Sequence, residues 1–442
     1  MESDSERMRE EMIEKIPTPK ELVERLNETV VGQESAKKAL SVAVYEHYKK
    51  FKGMGAGDGK RRKSNMMFIG PTGCGKTLLV ETVAKFLEVP FVSVDSNAYT
   101  PAGCKGTDLE EIIGRLYKAA DGDIDAAEHG IIFLDEFDKL AAVKSAGNAQ
   151  EFLISVQNGY LKLLEGSDIE IKPGWRTAPR SRKAPAGRMS EMQSERSFNV
   201  KLPSPQEQRS SINTAGILFI CGGAFTGLDK IIARRLRGGA PEHDDGLYTA
   251  ERSLNRSSRH DRHIAGFKLR PENGAAESAG NAAAQDTGSS LKGLCVEDLQ
   301  EFGFIPEILG RIPVRVTLDG LDEEALKAIL TQPKDAILKQ VREDFLDAGS
   351  DLLFTQEALQ AIAREAIETK TGARGLSSIV DRLLLEPKYE LFSYDHTDDD
   401  LVVYLDADSG KCVTQFVKKT EPDPFEAARR QKEQETERDI GQ

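Results

Sequence analysis

The residues best suited to chemistry in this chain run Gly70-Pro71-Thr72-Gly73-Cys74-Gly75-Lys76-Thr77. The apolar stretch Met66-Met67-Phe68-Ile69 leads straight into them, and a helical pattern follows at once, from Leu78 to Leu87. G-x-x-x-x-G-K-T between a strand and a helix is the pattern of a phosphate-binding loop. Its glycines let the backbone turn tightly and aim N–H groups at phosphate oxygens, and the helix start adds a partial positive charge. Lys76 has the reach for β- and γ-phosphates, and Thr77 offers its hydroxyl to Mg²⁺. The candidate contacts are Gly70, Pro71, Thr72, Gly73, Cys74, Gly75, Lys76, Thr77 and Leu78, and the ligands expected are ATP and Mg²⁺.

A second group lies downstream. Gly130-Ile131-Ile132-Phe133-Leu134 reads as a strand buried on both faces, and it ends in Asp135-Glu136. There an aspartate can hold the metal's coordination shell and a glutamate can polarise water, the parts that phosphoryl transfer needs beside a phosphate cradle. Two arginines also stand out. Arg311 sits in Gly310-Arg311-Ile312-Pro313, and Arg374 opens a helix in Thr371-Gly372-Ala373-Arg374-Gly375-Leu376. An arginine at a helix start opposes the macrodipole and wants an anionic partner. The residues alone leave each open between a structural ion pair and a group that stabilises γ-phosphate charge.

These residues need elements to hold them. Strands at 66–70, 91–95, 130–134 and 217–221 alternate with helices near 76–87, 108–120 and 150–164. That alternation predicts an α/β, doubly wound parallel sheet with ligands at the carboxyl ends of its strands. An opening helix Lys20–Leu26 is expected after Thr18 or Pro19. Past a strand near Val314–Leu318, helices at about 323–330, 334–347, 355–369 and 374–386, with a strand pair at 401–405 and 412–417, predict a smaller α+β domain. The expected organisation is a charged tail (1–16), a large ATPase domain (17–318), a small domain (319–418) and a second charged tail (419–442). Two polar segments, 166–213 and 238–293, read as insertions with too little apolar surface to order themselves.

Composition narrows the class. The chain has 442 residues, 30% of them charged, and a net charge of −13, which argues against a general nucleic-acid binder. Its five cysteines form no C-x-x-C pair, so neither a zinc site nor a disulfide framework is expected, and a cytoplasmic setting fits. No apolar run approaches the ~20 residues of a membrane span, and no secretory or transit signal is visible.

Taken together the motifs resemble the ClpX family of AAA+ unfoldases, over roughly residues 17–418. The likeness is carried by Val30-Val31-Gly32-Gln33, Gly70 to Thr77, Leu134-Asp135-Glu136-Phe137-Asp138-Lys139, Cys221-Gly222-Gly223-Ala224-Phe225, Ile305 to Val314, and Gly372 to Leu376. The related HslU family carries a large domain between its two Walker motifs, for which there is no room here. The resemblance implies that Val30 and Val31 pack on adenine, that Asp135 and Glu136 are the Walker B pair, that Arg311 reaches the neighbouring subunit's ATP, and that Arg374 is the sensor of the small domain, with a hinge near 318–320. It also implies a homohexameric ring acting on protein clients.

The departures from the family are as specific. Its pore carries an aromatic–hydrophobic pair between two glycines; here that place reads Gly103-Cys104-Lys105-Gly106. A cysteine offers little area to grip an extended chain and lysine prefers water. The second pore loop, expected near Ala146–Phe152, is not recognisable. The loop that docks on the ClpP peptidase normally shows Ile-Gly-Phe, and the nearest stretch is Ile264-Ala265-Gly266-Phe267. The Cys pairs of the family's zinc-binding adaptor domain are missing. Two functions are therefore carried forward: a threading unfoldase, with or without ClpP, and a non-threading remodelling ring dedicated to one partner. A nucleic-acid machine using the basic stretch 172–196 is the weakest alternative.

Overall fold

The computed structural model describes residues 16–52, 64–100, 107–142, 148–175, 210–237, 291, 293–393, 401–408 and 411–418. Its centre is a five-stranded parallel sheet of β1 (Met66–Ile69), β2 (Phe91–Asp95), β3 (Ile131–Asp135), β6 (Leu218–Gly223) and β7 (Val314–Thr317), in the order β2-β3-β6-β1-β7. The register aligns Asp95 with Asp135, Leu134 with Cys221, and Ile69 with both Gly223 and Thr317. All five carboxyl ends therefore open on one edge.

Strand side chains alternate between two faces, and the cores follow that period. Met66, Phe68, Ile131, Phe133, Leu218 and Ile220 face one core with α1 (Pro19–Thr29), α2 (Glu34–Lys52) and α3 (Lys76–Phe86). Met67, Ile69, Ile132, Leu134, Phe219 and Cys221 face the other. There they meet α4 (Glu111–Ala119), α5 (Ile124–Glu128), α6 (Asn148–Glu165), α7 (Leu228–Leu236), α8 (Val296–Phe302) and α9 (Pro306–Arg311). Thr18 is the N-cap of α1: its hydroxyl accepts from the Glu21 N–H while Glu21 Oε2 accepts from the Thr18 N–H at 2.7 Å, and Pro19 takes the first helical position.

A third core, from Leu326 to Leu405, belongs to a smaller α+β unit. It holds α10 (Glu323–Thr331), α11 (Ile337–Asp347), α12 (Gln356–Glu368), α13 (Ala373–Leu383) and α14 (Leu385–Ser393). Its sheet is β8 (Ser350–Phe354) parallel to β9 (Leu401–Asp408), with β9 antiparallel to β10 (Lys411–Lys418). Among the described residues no helix is long and apolar enough to cross a membrane.

The structure corrects local expectations at several places. β8 was not foreseen; Leu352 and Leu353 are both apolar, so the segment lacks the clean alternation that marks a strand. α11 starts at Ile337 rather than 334, because Pro333 and the turn behind it interrupt the helix. The segment 166–213 is ordered at both ends, where β4 (Asp168–Glu170) pairs antiparallel with β5 (Ser211–Asn213). Ile169, Ile212 and Trp175 sink into the main core, and the Trp175 indole donates to Glu111 Oε2 at 2.6 Å. A few large apolar residues order the ends of a segment whose average composition is polar. Leu291, at the edge of the 238–293 segment, is likewise buried.

Candidate nucleotide site

The loop from β1 to α3 takes the shape its glycines permit. Gly73 (φ +79) and Gly75 (φ +94) are left-handed, where a side chain adds strain. Lys76 is buried as the first residue of α3, and its Nζ arches back to donate to the carbonyls of Gly70 at 2.7 Å and Pro71 at 2.8 Å. Thr77 follows, half-buried. Cys74 is packed into the core, and burial pushes its thiol up, so it serves as a small apolar filler.

Beside this loop stands the acidic pair. Asp135 ends β3, and its Oδ1 accepts from the Glu136 N–H at 2.9 Å. Glu136 itself sits at φ 53, a left-handed conformation that a non-glycine residue holds only when its surroundings impose it. Its Oε2 accepts from the side-chain amide of Asn97 at 3.0 Å. Asn97 is in turn fixed by its backbone N–H, which donates to Asp95 Oδ1 at 2.9 Å in the turn after β2. Below the pair, buried Asp138 accepts from the Phe225 N–H at 3.2 Å. A Cβ on Gly223 would stand 2.5 Å from the Asp138 carboxylate, so a glycine is required there.

The smaller unit reaches into the same site. The Ala373 N–H at the start of α13 donates to Gly73 O at 3.4 Å, and a Cβ on Gly73 would lie 2.7 Å from Thr371 O. Arg374, largely exposed, brings a terminal nitrogen to 3.7 Å from Asp135 Oδ2. Gly70 packs against the end of β7: a Cβ there would stand 2.7 Å from Leu318 O, and the Leu318 N–H donates to Ile69 O at 2.8 Å. Val30, the C-cap of α1, is buried and Val31 is half-buried. Gln33 (φ 58) ties this stretch to the far side of the site. Its amide nitrogen donates to Asp319 O at 2.8 Å and its amide oxygen accepts from the Asp319 N–H at 3.1 Å.

Lys76, Thr77, Asp135, Glu136 and Arg374 thus gather on one edge of the sheet, and Arg311 does not join them. It ends α9 at the opposite edge, where its carbonyl accepts from the amide of Asn65 at 3.0 Å just before β1 begins. Its guanidinium pairs with Glu165. The pore candidates Gly103 to Gly106 and the docking candidates Ile264 to Phe267 lie outside the described residues. Asn97 and Gln33 were missed as functional candidates. The signal for Asn97 was faint: an Asp-Ser-Asn turn directly after a strand that neighbours the Asp135 strand.

A family model described as an AAA domain (Cdc48 subfamily) matches residues 61–315, and one for the C-terminal D2-small domain of ClpB protein matches 321–401. The ATP-dependent Clp protease ATP-binding subunit ClpX of Porphyromonas gingivalis is 37% identical over 381 residues, covering 86% of this chain and 79% of that one. The chain belongs to the ClpX family. The ClpX proteins of Bacteroides fragilis (36% over 389 residues; 87% and 80% covered) and Borrelia duttonii (39% over 382; 85% and 75%) are similarly related. This ClpX-family chain is therefore an ATP-hydrolysing enzyme with the α/β ATPase fold and the smaller α+β unit that its motifs predicted.

Proposed function

We propose that the chain is an ATP-driven protein unfoldase of ClpX type that hydrolyses ATP between the subunits of a homohexameric ring and threads protein clients in the cytoplasm. The observation that carries this reading is the separation of the two arginines. Arg374 stands 3.7 Å from Asp135 of its own chain, whereas Arg311 is anchored at the other edge of the sheet. A group that stabilises γ-phosphate charge from there must serve a second copy, and that makes each site an interface.

Within one site the roles divide by chemistry. Gly73, Gly75 and the start of α3 offer N–H groups to phosphate, and Lys76 exchanges its two carbonyl partners for phosphate oxygens. Val30 and Val31 supply the apolar contact for adenine. The hard oxygens of Thr77 and Asp135 suit Mg²⁺, which would neutralise charge on the phosphates. Glu136 orients and polarises the attacking water, and Asn97 holds its carboxylate meanwhile. Arg374 reports the state of that site to the smaller unit through α13.

The second reading is a non-threading ring dedicated to one partner. It is favoured by Gly103-Cys104-Lys105-Gly106, which lacks an aromatic grip, and by Ile264-Ala265-Gly266-Phe267, which departs from the Ile-Gly-Phe pattern of docking on a ClpP-like peptidase. One experiment separates the two. Glu136→Gln should bind ATP yet hydrolyse it ~10²-fold more slowly, so that it traps what it engages in a lysate, with Lys76→Ala as control. Many client chains, lost when Cys104 and Lys105 are changed, mean threading. One stoichiometric partner that survives those changes means a dedicated remodeller.

A further inference from the structure

The helix that ends in Arg311 is gripped at both ends by one other helix. At the start of α9 the Ile305 N–H donates to Gln157 Oε1 at 2.9 Å. At its end Arg311 Nε donates to Glu165 Oε1 at 2.9 Å, and a terminal guanidinium nitrogen lies 2.7 Å from that same oxygen. Gln157 and Glu165 both belong to α6, about two turns apart. Gln157 is fully buried, and its amide nitrogen also donates to Leu140 O at 2.8 Å and Gly303 O at 3.1 Å. Phe137, the residue after Glu136, stacks on Phe304 with centroids 5.6 Å apart and planes 11° apart. The turn carrying Glu136, the helix α6 and the arginine helix α9 therefore form one packed body.

We infer that Glu165 is a positioning residue for Arg311. The inference rests on the reading of Arg311 as a group supplied to a neighbouring copy's ATP. Glu165 engages only one edge of the guanidinium, through a single oxygen, and the remaining N–H donors stay available to phosphate oxygens. Both side chains are about half exposed (Arg311 52%, Glu165 40%), so an unrestrained arginine would sample many rotamers and present itself only part of the time. An exposed pair contributes little to folding stability, which lets a catalytic effect be told from an unfolding one. Because α6 also grips the turn after Glu136, the arm offered to the neighbour is fixed to this chain's own hydrolytic residue.

The test compares ATP turnover by rings of the full chain carrying Glu165→Ala, Glu165→Gln, Glu165→Asp, Arg311→Ala and the Glu165→Ala/Arg311→Ala pair, with thermal melting and light scattering as controls. The expected result is a kcat about tenfold lower for Glu165→Ala at nearly unchanged KM, partial rescue by Glu165→Asp, and no added loss in the Arg311→Ala background. Wild-type kcat in Glu165→Ala beside a loss of about 10³-fold or more in Arg311→Ala overturns the positioning role and spares the arginine's. An equal loss from Glu165→Ala with or without Arg311 places the action of Glu165 elsewhere and also overturns it. Unchanged turnover in Arg311→Ala removes the reading beneath it. If Glu165→Ala does not assemble, the isosteric Glu165→Gln is read by the same criteria.

Discussion

Glu136 is held in a backbone conformation that its own side chain does nothing to favour. Its carboxylate is oriented from outside, by the amide of Asn97. Asn97→Ala should therefore lower kcat for ATP about three- to tenfold with little change in KM, as steady-state turnover would show; a change confined to KM would place Asn97 in nucleotide binding instead. Gly73→Ala faces two obstacles, a left-handed φ and a collision with Thr371 O. It should weaken binding of a fluorescent ATP analogue by about tenfold or more, since backbone strain of this kind costs about 1–3 kcal/mol. Wild-type affinity would mean that the loop can move away from α13. At this scale the sequence exposed residues whose chemistry is written locally. Lys76, Thr77, Asp135 and Glu136 stand in motifs that need no partner to be recognised. Asn97 and Gln33 act on residues brought close only by strand register and chain return, which no local pattern encodes.

Between elements, a two-pronged ion pair joins α7 to α8. Arg235 donates from Nε to Asp298 Oδ1 at 2.6 Å and from a terminal nitrogen to Oδ2 at 2.9 Å. Asp298 is almost fully buried and also accepts from the Cys295 N–H at 2.9 Å, capping α8. Arg235→Ala would leave that carboxylate to the Cys295 donors alone and should lower the chemical-denaturation midpoint; an unchanged midpoint would mean that water reaches Asp298. Burial alone would raise the Asp298 pKa, but the Arg235 and Cys295 hydrogen bonds outweigh it and hold the carboxyl below the usual aspartate range. A lowered folded pKa gives stability that is fully present above the unfolded value of about 3.9 and is lost as pH falls through the folded one. Denaturation midpoints should thus drop below about pH 4, and less steeply in Arg235→Ala. The buried strands were legible here because continuous apolar runs of this kind have few alternatives. β8 was not, since it borrows its order from β9, far along the chain.

Over the whole molecule, the arginine that its own site leaves out makes assembly a condition of activity in the proposed reading. Mass photometry should show ATP shifting the chain from small species to a ring of six, and Lys76→Ala should fail to shift under the same conditions. A monomer with full turnover at low nanomolar concentration would contradict the proposal outright. The presence of a large α/β and a smaller α+β unit was readable from the switch between buried-strand and helix-rich patterns. The order of the strands was not, because β1 sits between β6 and β7 through pairings that only the packed helices decide.

In the proposed reading, the abutment of Gly70 on Leu318 would set a transmission ratio. The phosphate loop begins where the connection to the smaller unit begins, so a stroke applied there would act almost at the fulcrum. A unit of this size is roughly 30 Å across, so a turn of about 10° at that point would sweep its far edge by about 5 Å. An extended polypeptide advances about 3.3 Å per residue. If the chain threads clients as proposed, sub-ångström adjustments around a phosphate would be geared up to the pitch of one or two residues of the threaded chain, and the stride would be set by the length of the lever arm rather than by the size of the nucleotide.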